Sequence, residues 1–160
     1  MQTLSDTFTV SPLPQQVAQE IRSSLRDGFG NELETCVDGG GAPCRSCLRL
    51  TQAGERVILF SHRPFPGPGL YQEVGPVFIH AQPCKPFSGS GVPPDFRSRA
   101  LVLRPYDASN HIAADQKIVG SREAQDAIHC LLSDPRVAYL HARSVSRGCY
   151  LFRIDRSQAK

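Results

Sequence analysis

Apolar positions along the chain follow two periods. Pro14, Val17, Ala18, Ile21 and Leu25 recur at spacings of three and four, the stripe of an amphipathic helix. "SPLP" ahead of the stripe supplies the backbone angles of a helix start, and "DGFGN" ends it. A second stripe, Ala124, Ala127, Ile128, Leu131 and Leu132, predicts a helix capped by Ser121, with Glu123 beside its positive end and Asp134-Pro135 as its stop. Elsewhere the apolar runs are short, rich in β-branched or aromatic residues, and bounded by Gly and Pro. "ERVILFSH" (55–62), "GPVFIHA" (75–81) and "RALVLRPY" (99–106) read as buried strands, Phe8 to Val10 as a short one, and Ile112 to Val119 as a weaker one. Residues 35–47 read as glycine-rich loop, and "RPFPGPGLY" and "CKPFSGSGVPPDF" as surface loops too proline-rich for helix.

The tail "RVAYLHARSVSRGCYLFRIDR" predicts two strands around a turn. Matching the large apolar face Tyr150, Phe152, Ile154 to the small one Ala142, Leu140, Ala138 implies pairs 142/150, 140/152 and 138/154. Strands outnumber helices and few helical crossovers join them. The fold class is therefore α+β: a mainly antiparallel sheet with two helices and a C-terminal β-hairpin. At 160 residues a single domain over 1–160 is expected, with loose ends at 1–7 and 157–160.

Composition narrows the function classes. A formal charge of +3 without a basic run gives no electrostatic footprint for nucleic acid. The longest apolar runs are far too short to span a bilayer, so no membrane partner is expected. "MQTLSDTFTV" lacks the charged and apolar regions of a signal peptide, which points to the cytoplasm and to six cysteines that are reduced. Only Lys85, Lys117 and Lys160 among the 18 basic residues are lysines, an arginine excess that composition bias alone also produces. "GGG" at 39–41 satisfies neither the dinucleotide nor the P-loop glycine fingerprint.

Chemistry concentrates at "PCRSCL". Two thiolates spaced Cys-x2-Cys can occupy two corners of a tetrahedron, and His80 with Cys84 offers the other two. Cys44, Cys47, His80 and Cys84 are accordingly the candidate metal ligands, and zinc the candidate cofactor. Such an ion would tie a glycine-rich loop to a strand end. Plain buried thiols and a redox dithiol remain open as alternatives, although "LRLTQAGE" after the pair runs into a turn rather than the helix a thioredoxin-like motif wants. The hairpin offers a second place. Its predicted register sets Arg143 across from Cys149 and His141 diagonal to it, a candidate catalytic set in which Cys149 is the thiolate, His141 the base and Arg143 the anion stabiliser. A half-exposed sheet face yields the same residues without catalysis. Arg63, Arg104, Arg143 and Arg147 form a candidate site for a small anionic ligand.

Several blocks in order, "PCRSCL", "GERVILFSHRPFPGPGLYQEVGPVFIHA" with the cysteine after it, "LRPY" and "LHARSVSRGCYLFRIDR", resemble a bacterial family known as domain of unknown function 1203. The resemblance runs from about Phe8 to Arg156. It implies a small one-domain cytosolic protein and carries no activity or catalytic residue across. His62 stands where the resemblance implies an aromatic residue.

Overall fold

The computed structural model describes residues 8–158. Strands β1 (Phe8–Ser11), β2 (Glu34–Val37), β3 (Arg56–His62), β4 (Gly75–His80), β5 (Leu101–Tyr106), β6 (Lys117–Val119), β7 (Tyr139–Ser144) and β8 (Tyr150–Arg156) are joined with helices α1 (Gln15–Arg22) and α2 (Ala124–Ser133). The fold is α+β and every strand pairing is antiparallel. The strands divide into a five-stranded sheet, β1-β8-β7-β5-β6, and a three-stranded sheet, β2-β3-β4. Of the loose ends expected at 1–7 and 157–160, residues 1–7 and 159–160 lie outside the described residues.

Each sheet buries one face against one helix. Ile128, Leu131 and Leu132 of α2 join Leu101, Leu103, Leu140, Ala142, Phe152 and Ile154 of the larger sheet in one apolar cluster. Ala18 and Ile21 of α1 join Ile58, Phe60, Val77 and Ile79 of the smaller sheet in a second, which also takes in Cys44 and Cys47. The candidate metal ligands thus grow out of a packed core.

Several local expectations are corrected. Helix α1 stops at Arg22, where the Ser23 hydroxyl donates to Gln19 O and Glu20 O, so Leu25 leaves the stripe and is 88% exposed. Ser121 does not cap α2; Glu123 precedes the helix and no side chain caps it. Residues 34–37, expected to be loop from residue 35 onward, form strand β2, and the weak strand at 112–119 shrinks to β6. Most instructive is the hairpin. Leu140 pairs with Ile154 and Ala142 with Phe152, two residues away from the expected partners, and an irregularity then pairs Arg143 with Tyr150. Leu151 is the extra residue of this bulge and joins Phe152 in the core. Tyr150 consequently turns to the opposite face, beside His141.

Candidate metal centre

Cys44 and Cys47 sit on a tight turn whose stems meet in a bridge between Pro43 and Leu50. Cys44 N–H donates to Arg49 O and Leu48 N–H to Cys44 O. Leu48 takes the left-handed conformation, φ 55°, rare for a residue with a branched side chain. Its side chain is wholly buried in the larger cluster, which holds it there. Two backbone bonds, Arg45 N–H to Phe78 O and Leu13 N–H to Arg45 O, dock this turn onto β4 and onto the start of the first helical segment. His80 ends β4, and Cys84 follows in the loop beyond it.

The structure brings all four together. Cys44 Sγ, Cys47 Sγ, Cys84 Sγ and a ring nitrogen of His80 lie within 4.8 Å of one another. Cys44 Sγ is 3.8 Å from Cys84 Sγ, and Cys47 Sγ is 3.5 Å from His80 Nδ1. Cys44, Cys47 and His80 are buried and Cys84 is half-buried.

A second layer of contacts surrounds them. Glu55 Oε2 lies 3.0 Å from His80 Nε2, which fixes the far nitrogen as the donor and leaves Nδ1 facing the sulfurs. Arg22 Nη2 donates to Cys84 Sγ at 3.4 Å while its Nε donates to His80 O. His80 N–H donates to Cys44 Sγ at 3.3 Å. Arg49 is held above its ordinary range, first by hydrogen bonding to Cys47. The Cys44 thiol is pushed up, first by its hydrogen bond with Cys47, then by Cys84 and burial. Cys84 is pulled down by accepting from Cys44 and Cys47. A divalent cation at the common point would replace those protons.

The other candidate residues are placed differently. Arg143 faces Tyr150 rather than Cys149; its Nε donates to Gly148 O and its Nη2 lies 2.9 Å from Glu73 Oε2. Cys149 is half-buried outside β8 and its Sγ donates to Arg147 O at 3.8 Å. His141 is fully buried, and neither ring nitrogen has a hydrogen-bond partner among the described residues. Phe65, Tyr106, Tyr139 and Tyr150 surround its ring with centroids 4.8 to 5.3 Å away. Burial pushes it down to about 3, helped by Arg143, Arg153, Arg104 and His62. No hydrogen bond therefore joins His141 to Cys149. Among the four arginines, Arg104 and Arg143 share Glu73, and Arg63 reaches Gln72.

Sequence reasoning missed Glu55, Arg22 and Arg49, and it missed Arg45, which is 2% exposed inside the Cys-x2-Cys turn. Glu55 lies directly before β3 and its acidity was the one available signal. No helix among the described residues is long and apolar enough to cross a membrane. Comparisons with curated proteins and with solved structures found no match. Residues 41–156, which hold all four clustered ligands, match the family model described as protein of unknown function (DUF1203), and the chain belongs to that family.

Proposed function

We propose that this chain is a zinc-organised binding domain, in which Cys44, Cys47, His80 and Cys84 hold one Zn²⁺ in a closed structural site. The spacing carries the reading. Tetrahedral zinc with its usual bond lengths sets neighbouring sulfurs about 3.8 Å apart and a sulfur about 3.5 Å from a histidine nitrogen. Those are the separations of Cys44 Sγ from Cys84 Sγ and of Cys47 Sγ from His80 Nδ1. Three sulfurs and one imidazole favour zinc over the oxygen-seeking cations, and four protein ligands leave no open position for substrate. Buried thiols alone would not account for the carboxylate on the far nitrogen of His80, an arrangement that orients a metal-bound imidazole.

The ion's role is to fasten the segment between β2 and β3 to the end of β4. That segment holds glycines at 39–41, two of them with positive φ, and has little regular structure of its own. Three thiolates around Zn²⁺ leave net negative charge, which Arg22 and Arg49 offset. Metal analysis of protein expressed and purified without added zinc is expected to give about one zinc per chain, lost on Cys44→Ser with a cooperative loss of stability. Folded wild-type protein free of metal would remove the proposal.

A further inference from the structure

A cleft of about 800 Å³ lies between the two sheets, with one wall made by the Cys-x2-Cys turn. That volume suits a small organic ligand. Its floor includes Leu59 and Phe78, paired across β3 and β4 on the face of the smaller sheet. Both are only partly buried, and neither belongs to any of the apolar clusters of the described residues. Two large apolar side chains therefore face the cleft without a packing partner of that kind.

Charge around the same cleft is mostly positive, with Arg45, Arg99 and Arg147 against Asp38. Arg45 lines it and is 2% exposed, yet the acceptors it meets are main-chain carbonyls: Nε donates to Tyr150 O at 2.7 Å and Nη1 to Pro43 O at 2.6 Å. Among the described residues no carboxylate forms an ion pair with this buried guanidinium. Such charges are ordinarily paired, because leaving one alone in the interior is costly. Cys149 also lines the cleft, where its Sγ donates to Arg147 O. Arg99 and Arg147 complete the basic lining, again without an acidic partner among the described residues. Asp38, the acid in the lining, is engaged within its own loop by Thr51, Gly40 N–H and Ala42 N–H.

We infer that this cleft binds an amphipathic anion, a carboxylate or phosphate monoester with a short apolar body. Arg45, Arg99 and Arg147 take the anionic head, and Leu59 with Phe78 takes the body. Planar guanidinium groups suit both heads, and an anion there gives Arg45 a carboxylate or phosphate partner that no side chain of the described residues provides. None of these residues is a metal ligand, but Arg45 lies within the Cys-x2-Cys turn, so zinc content is measured beside binding.

The test uses the full chain and four probes, octanoate, octyl phosphate, 1-octanol and inorganic phosphate, titrated by calorimetry. At least one octyl anion is expected to bind saturably at one site per chain, with 1-octanol and inorganic phosphate each about tenfold weaker or worse. Arg99→Gln combined with Arg147→Gln, both exposed positions, is expected to weaken the octyl anion by about tenfold or more while leaving zinc content and circular dichroism unchanged. Three results would each overturn the inference: no saturable binding of either octyl anion, 1-octanol binding as tightly as the anions, or a double variant that binds as wild type does. A chain that binds octanoate but holds no zinc would refute the metal reading alone; zinc without octyl-anion binding would refute the cleft alone.

Discussion

Replacing His141 with phenylalanine isolates the energetic consequence of an imidazole sealed among aromatic rings. His141 is fully buried, its two nitrogens make no hydrogen bond, and burial first, then Arg143, Arg153, Arg104 and His62, lowers it from its ordinary 6.5 to about 3. As pH falls through 6.5 the unfolded chain takes up a proton that the folded chain refuses, so the unfolded state is favoured. The stability tied to the neutral ring is complete above that pH and drains away down to about 3. At pH 5 the loss is about 2 kcal/mol, from one and a half units of pH at 1.36 kcal/mol each. Phenylalanine can pack with Phe65, Tyr106, Tyr139 and Tyr150, whose centroids lie 4.8 to 5.3 Å from the present ring, and it has no proton to take up. Urea unfolding of both proteins at pH 8 and pH 5 gives the comparison. The drop in stability between the two pH values is expected to be smaller in His141→Phe by about 2 kcal/mol. Acid effects at the thiols act on both proteins and largely cancel in the difference. Equal drops would show that His141 is either solvated or paired, and the reasoning would fail.

Glu55→Gln should weaken zinc by about tenfold, the low end for an outer-shell partner because Glu55 is 39% exposed, as read by competition with a chromophoric chelator. Affinity equal to wild type would mean that Glu55 does not orient His80. Phe152→Ala, at a fully buried ring edge-on to Phe96, should cost about 4 kcal/mol in urea unfolding. Leu25→Ala, at a position 88% exposed, should change stability by less than about 0.5 kcal/mol. A large effect at Leu25 would restore it to the buried stripe of α1. Asp27→Asn should destabilise: burial raises the carboxyl, but bonds from Ser61, Phe29 and Asn31 outweigh it and hold the group below its ordinary range. Stability from this carboxylate is therefore present at neutral pH and lost as pH falls through the lowered value, a slope that urea unfolding below pH 4 should find reduced in Asp27→Asn.

What could be read from the chain follows what leaves a periodic trace. β3 and β4 are β-branched runs between Gly and Pro, and both emerge within a residue or so of expectation. The convergence of Cys44, Cys47, His80 and Cys84 was legible because a Cys-x2-Cys turn and a histidine at a strand end constrain where side chains can point. β2 was hidden because its four residues are all exposed, so no alternation marks them. The hairpin failed for a subtler reason. A slip of two residues leaves every side chain on its original face, so face matching cannot tell the two registers apart. The bulge at Leu151 then moved Tyr150 across the sheet, and a single extra residue has no periodic signature. Arg45 was invisible for a related reason: a charged residue in a glycine-rich loop reads as solvated, and only the docking of that loop between two sheets buries it.

The coordination shell itself gives the most direct test of the central claim. X-ray absorption at the zinc edge on protein as purified is expected to show three sulfur neighbours at about 2.3 Å and one nitrogen at about 2.0 Å. A shell dominated by oxygen and nitrogen, or one with fewer than three sulfurs, would contradict the assignment of Cys44, Cys47, His80 and Cys84 as a closed zinc site.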